Sequence, residues 1–248
     1  MNLDAVRQIV PYPILIGAYR ALLPGFPNDQ YPALLQSVQD HDLRFNGSSV
    51  PGVVDFTRSS FEFPFIDLSG DGRTAYRWAD TQLITADRPV AKGGSEMYGT
   101  TVYESRFDPP CEAYGAVEGN SSTTYLKGSV QINGTWTEVL SLSFKTTNET
   151  GTVGLFDYIE NAVSQPYFSD GNLCDLQPRL FNTSISQAPF QPQKVRGTIS
   201  ALPPAYPIES VWKQVWGMRV DTAMVELWPS PRCAELFTPA WSQHGHGI

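Results

Sequence analysis

The sequence predicts a mainly β fold, an antiparallel β-barrel or β-sandwich with a short helical N-terminal segment. Three observations predict it. Only 17% of the 248 residues are charged, while Gly and Pro each number 20, a composition that suits short strands and turns better than long solvent-facing helices. Alternating apolar runs recur from about residue 53 onward. Between them stand Ser69-Gly70-Asp71-Gly72, Lys92-Gly93-Gly94, Asp108-Pro109-Pro110 and Asn133-Gly134, the punctuation expected between antiparallel strands. With 41% hydrophobic and 12% aromatic residues, residues 1–248 form a single domain. Within it, 1–45 read as a helical arm or cap, 53–228 as the β domain and 229–248 as a loose Pro-rich tail.

Taken in order, residues 3–10, 14–23 and 31–41 read as helices, the last from the spacing of Leu34, Leu35 and Val38, cut apart by Pro11, Pro13, Pro24, Pro27 and Pro32. Strands are expected at 61–68, 74–85, 97–107, 124–132, 136–145, 152–158, 194–200 and 222–228, with a short helix at 209–216. A meander is the simplest topology. A two-residue turn at Asn133-Gly134 pairs Ile132 with Thr135. Leu126 and Val130 then share one face, and Trp136, Leu140, Leu142 and Phe144 the other. Two layers around the sheet, a bulge that shifts the register, or a ligand cavity on one face each account for this.

The net charge of -8 argues against a nucleic-acid surface, which needs clustered Lys and Arg. No apolar run reaches the roughly 18 residues of a membrane span. Asn-x-Ser/Thr occurs at Asn46, Asn120, Asn133, Asn148 and Asn182, whereas nine Asn residues would give only about one or two such matches by chance. These sites point to N-linked glycans and to the secretory pathway or the extracellular space. The N-terminus has no signal-peptide pattern, so Met1 reads as a start placed on a mature chain whose leader has been trimmed. Cys111, Cys174 and Cys233 allow one disulfide and one thiol in three pairings, with Cys111–Cys174 favoured.

No cofactor and no metal are expected. The three cysteines lack zinc spacing, and the segment 67–72 lacks the downstream Glu of a calcium loop and reads as a turn. His41 sits in the helical arm and His244 and His246 near the end, which disfavours a Ser-His-Asp triad, and the usual hydrolase, kinase and dehydrogenase signatures are missing. Strand-face reasoning instead places Tyr98, Glu104 and Arg106 on one face, with Arg106, Tyr98 and Lys127 as hydrogen-bond donors to a carbonyl and Glu104 orienting them. Tyr76, Trp78, Tyr103, Trp136, Phe144 and Trp228 are the aromatic wall of a substrate pocket. Core packing and a surface ion pair are the plainer readings of the same residues.

Two functions fit. One is an enzyme with an apolar pocket for a hydrophobic small molecule. The other is a carbohydrate-active or carbohydrate-binding β-sandwich, in which Glu104, Glu138 or Glu226 supply paired carboxylates and exposed aromatics stack on sugar rings. With its sequons, its strand Tyr98-Gly99-Thr100-Thr101-Val102-Tyr103-Glu104-Ser105-Arg106-Phe107 and no standard catalytic signature, the chain resembles the glycosylated hetero-Diels–Alderases of fungal tropolonic sesquiterpene biosynthesis. The resemblance is one of overall format. It implies a cofactor-independent cyclase joining a tropolone o-quinone methide to a humulene-type olefin, after loss of water from a hydroxymethyl precursor. A second copy of the chain, in a homodimer, is the one further partner allowed for.

Overall fold

The structure, a computed structural model, describes residues 1–49, 53–149, 151 and 153–236. Helix α1 (Leu3–Ile9) starts at Asn2, whose side chain accepts the Ala5 N–H. Helix α2 (Ile16–Leu22) buries Tyr19. There follow β1 (Leu34–Asp40), the hairpin β2 (Arg44–Phe45) and β3 (Ser48–Ser49), β4 (Phe56–Ile66), β5 (Tyr76–Trp78), β6 (Thr81–Thr85), α3 (Pro89–Glu96) and β7 (Thr101–Asp108). After them come β8 (Gly115–Val117), β9 (Asn120–Ile132), β10 (Thr135–Thr146), α4 (Leu155–Val163), β11 (Tyr167–Phe168), β12 (Arg179–Leu180), β13 (Gln193–Ala201), β14 (Ser210–Arg219) and β15 (Ala223–Met224).

The fold is mainly β, as the composition predicts. One 11-stranded sheet runs β11-β5-β4-β6-β7-β9-β10-β13-β14, with β1 added to β4 and β8 to β9. It is not a simple meander, because β6–β7 and β5–β11 pair in parallel. Among the described residues no pairing closes it into a barrel. It curls so that its inner faces meet, with Phe61 of β4 lying 5.2 Å from Trp212 of β14 and 4.8 Å from Tyr206. This sandwich-like interior also holds Leu83, Phe107, Leu126, Leu140, Leu142 and Ile199.

Several local expectations are corrected by partners that lie far away in sequence. Residues 34–40 are a strand, because the edge of β4 offers them a ladder from Leu34↔Glu62 to Asp40↔Phe56. The expected strand 152–158 is the start of helix α4, whose Tyr158, Ile159, Ala162 and Val163 recur at helical spacing and are buried; Thr152 lies outside the described residues. The expected helix 209–216 is β14. There Gln214, with φ of 61°, bulges out, so that Trp212 points into the core while Trp216 stacks 4.8 Å from the Arg196 guanidinium. Residues 74–85 divide into β5 and β6 at Ala79-Asp80, and β7 starts only at Thr101 because α3 and the turn at Gly99 precede it.

The hairpin at Asn133-Gly134 pairs Ile132 with Thr135 as expected. A bulge at Val139 then shifts the register, pairing Leu140 with Gly128 and Leu142 with Leu126. The expected opposite faces are therefore wrong for these residues: Leu126, Val130, Leu140 and Leu142 share the buried face, and only Trp136 remains on the outer one. Close approach of β13 to β10 requires Gly197, since a Cβ there would come within 2.0 Å of the Ser143 carbonyl oxygen.

The disulfide joins Cys174 to Cys233, not Cys111 to Cys174, and Cys111 is an exposed free thiol. Spacing carries no information on this choice, whereas the bridge Leu173↔Arg232 sets the two cysteines side by side. As far as Leu236, then, the expected loose tail is pinned; residues 237–248, with His244 and His246, lie outside the described residues. No described helix is long and apolar enough to cross a membrane.

Candidate functional site

The two faces of β4 differ in chemistry because its sequence alternates. Phe61, Phe63 and Phe65 enter the apolar core, and Arg58, Ser60 and Glu62 fall on the other side. Over that polar side lies a ribbon built from the stretches 172–180 and 222–233. Its pairing runs Leu180↔Ala223 and Arg179↔Met224, then Val225 N–H to the Pro178 carbonyl at 3.3 Å, Leu227 N–H to Leu176 at 3.0 Å and Cys174 N–H to Pro231 at 3.0 Å. The Cys174–Cys233 disulfide closes the end. Period-two alternation gathers Asp175, Gln177 and Arg179 from one strand with Met224 and Glu226 from the other.

The resulting layer is dense in buried charge. Arg58 Nε meets Asp40 at 2.5 Å and its Nη2 donates to Gln177 Oε1 at 3.4 Å. Arg77 Nη1 stands 3.1 Å from Glu62 Oε2 without the alignment of a hydrogen bond, and Ser60 Oγ donates to Glu62 Oε1 at 2.7 Å. Arg179 donates to Gln177 Oε1 at 3.3 Å and to Met224 Sδ at 2.7 Å. Three guanidiniums (Arg58, Arg77, Arg179) thus face four carboxyl groups (Asp40, Glu62, Asp175, Glu226). Charge balances when one of the four keeps its proton.

Asp175 is that one. It is 7% exposed, and its Oδ1 has no hydrogen-bond partner among the described residues. Burial pushes its carboxyl up to about 7, the Glu226 charge pushes the same way, and Arg58, Arg77 and Arg179 pull back. Glu226 belongs to an exposed stretch, yet desolvation raises its carboxyl too. At this rim the buried Tyr98 hydroxyl donates to Glu226 Oε1 at 3.5 Å and shares a 2.8 Å hydrogen bond with Ser230 Oγ. Burial raises the Tyr98 phenol, so it stays a donor at neutral pH. Val225, Leu227 and Trp228, 46%, 41% and 60% exposed, border the rim with apolar surface.

The expected site residues separate into three places. Glu104, Arg106, Lys127 and Trp136 lie on the outer surface around β7, β9 and β10. There Arg106 stacks 4.1 Å from the Trp136 ring, Lys127 pairs with Glu138 at 3.2 Å and Glu104 with Lys92 at 3.2 Å. Tyr76 and Trp78 are core residues, and Tyr103 and Phe144 pack against the same core. Trp78 stands 5.6 Å from Phe63, so this part of the aromatic wall is packed against other rings. Only Tyr98 and Trp228 reach the ribbon rim, together with Glu226.

Residue-by-residue reading of the chain missed Arg58, Glu62, Arg77, Asp175 and Arg179. Two signals for them exist in the sequence: Arg58-x-Ser60-x-Glu62 interleaved with phenylalanines, and Asp175-x-Gln177-x-Arg179. Both are charged residues at period two. Asp67 and Asp71 are engaged by their own turn, accepting the Gly72, Arg73 and Thr74 N–H groups. The Asn of each of the five sequons is exposed, and Asn46 and Asn133 occupy left-handed turn positions at hairpin tips. An open cleft of about 500 Å³ beside the ribbon is lined by Glu160, Arg179, Leu180, Phe181 and Asn182. Compared with protein-family models and with curated proteins, the chain matches none.

Proposed function

We propose that the ribbon rim is the active site of a cofactor-independent cyclase that uses acid catalysis on an oxygen-bearing hydrophobic small molecule. The observation that carries this reading is the Tyr98–Glu226–Ser230 cluster backed by the buried Asp175, whose carboxyl is raised to about 7. Asp175 and Glu226 titrate as a pair that holds a proton near neutral pH. Glu226, the member that reaches solvent, delivers a proton to a leaving hydroxyl, which departs as water. The ring hydroxyl of the substrate returns a proton to the carboxylate, leaving an o-quinone methide. Tyr98 donates to the carbonyl oxygen as charge shifts onto it, and the apolar border holds an alkene against the diene. The fitting reaction is hetero-Diels–Alder coupling of a tropolone o-quinone methide to a humulene-type olefin. In the cell the enzyme travels the secretory pathway with N-linked glycans on its exposed sequons, in keeping with its disulfide.

Incubation with a hydroxymethyl tropolone and a humulene-type olefin, followed by mass spectrometry, tests the proposal. Glu226→Gln is expected to lower the rate by about 10²–10⁴-fold; an unchanged rate overturns the assignment. Arg106→Ala serves as the control for the outer face and is expected to leave the rate within about twofold, since an exposed stacked guanidinium there contributes little.

The same cluster gives a pH signature. Asp175 has its carboxyl raised from 3.8 to about 7 in the folded chain, so its contribution to stability is complete below about pH 4 and is lost as pH rises to about 7. Thermal unfolding is expected to show a falling Tm across that window, and Asp175→Asn is expected to flatten the fall. The variant also removes a negative neighbour of Glu226, so the alkaline limb of the rate profile moves to lower pH. A Tm slope unchanged in Asp175→Asn removes Asp175 from this role.

A second reading has one observation in its favour. Trp228, 60% exposed, stands two residues along the ribbon from Glu226, an exposed ring available for sugar stacking on the strand that carries a raised carboxyl. Hydrolysis of aryl glycosides, lost in Glu226→Gln, is the result that favours it over the cyclase.

A further inference from the structure

Arg179 differs from the other arginines of the charged layer. Arg58 has Asp40 and Arg77 has Glu62, but among the described residues no carboxylate lies within 4 Å of the Arg179 guanidinium. Its neighbours there are neutral, the Gln177 carbonyl oxygen and the Met224 sulfur. Desolvation and the like charges of Arg58 and Arg77 lower its pKa to about 10, which leaves it cationic at neutral pH. A partly buried cation that lacks a direct counter-charge is an electrostatic cost to the fold, and an anion arriving beside it relieves that cost.

The same residue lines the shallow, open cleft of about 500 Å³. Leu180 and Phe181 supply apolar surface next to it and Asn182 an amide. Glu160, on α4, also lines the cleft; burial and the nearby Asp157 raise its carboxyl, and among the described residues no ion pair joins it to Arg179. We propose that this cleft is a second ligand site, which binds a planar aromatic carboxylate through a paired contact with Arg179 while its ring rests on Phe181. A guanidinium presents parallel N–H donors that match two carboxylate oxygens, which an ammonium does not. The site shares Arg179 with the charged layer behind the Glu226 rim, and it stands whether or not that rim is catalytic.

Asn182 adds a condition. It opens the sequon Asn182-Thr183-Ser184 and lines the cleft, so a glycan attached there would compete for the same space.

Benzoate titration, followed by calorimetry and by saturation transfer from protein to ligand, tests the site on the full chain. Binding is expected with a Kd on the order of 1 mM, as befits a fragment-sized ligand. Arg179→Lys is expected to weaken it about tenfold and Phe181→Ala about threefold to tenfold, with circular dichroism unchanged. Asn182→Gln, made in glycosylating cells, is expected to bind at least as well as the parent chain. Benzamide, isosteric but neutral, is expected not to bind detectably. Absence of benzoate binding to Asn182→Gln overturns the proposal, as does equal binding to folded Arg179→Lys. Inorganic phosphate displacing benzoate at equal concentration would show a general anion site and overturn the aromatic carboxylate assignment.

Discussion

Replacing Arg77 with methionine is expected to destabilise the protein by about 3–5 kcal/mol, the largest single effect of any side-chain change in the charged layer. Arg77 is 2% exposed and its guanidinium lies 5.6 Å over the Tyr167 ring, facing Glu62 at 3.1 Å. Removing it leaves Glu62, 0% exposed, with Ser60 as its one hydrogen-bond donor among the described residues and with no ion pair within 4 Å, only the longer-range charges of Arg58 and Arg179. The cost is that of an uncompensated buried charge, more than that of a lost contact. The double variant Glu62→Gln with Arg77→Met is therefore expected to recover most of the loss, because neither partner is then charged. Denaturant midpoints of the two single variants and the double variant check this. Additive losses would mean that the two residues act independently.

Breaking the Cys174–Cys233 bridge, by Cys233→Ala or by reduction, is expected to cost about 4 kcal/mol. The bridge spans 59 residues, and opening it returns that much loop freedom to the unfolded chain. The effect is also local. The bridge closes the end of the ribbon that carries Asp175 and Glu226, where the pairing beyond the two residue pairs of β12 and β15 thins to single backbone hydrogen bonds from Val225, Leu227 and Cys174. Far-ultraviolet circular dichroism of the variant is expected to retain the large sheet, while the ribbon becomes open to proteolysis and rim-dependent activity is lost. A bridge-free protein with parental stability and an intact protease pattern would contradict this account.

The fold class was legible because it follows from local chemistry. Turn residues at Asn133-Gly134 and alternation in β7, β9, β10 and β13 are properties of neighbouring residues, and each of these strands was found within a few residues of its observed limits. Residues 31–41 and 209–216 read as helical because Leu34, Leu35 and Val38, or Trp212 and Trp216, also satisfy a helical period. Pairing with β4 and β13 decided the matter. The candidate site was hidden for a related reason. Asp175 comes to Arg58 and Arg77 across about a hundred residues of chain, and Tyr98 to Glu226 across 128, so no spacing rule connects them.

By itself the sequence determined a β-rich, acidic chain with five Asn-x-Ser/Thr sites, because composition, turn chemistry and period-two alternation act over a few residues. The curl of the sheet, the Cys174–Cys233 pairing and the burial of Arg58, Glu62, Arg77 and Asp175 in one layer were decided by tertiary structure. The bulges at Val139 and Gln214 show the physical reason. One extra residue reverses every later side chain in a strand, and whether it is inserted depends on what the far side of the core has room to accept.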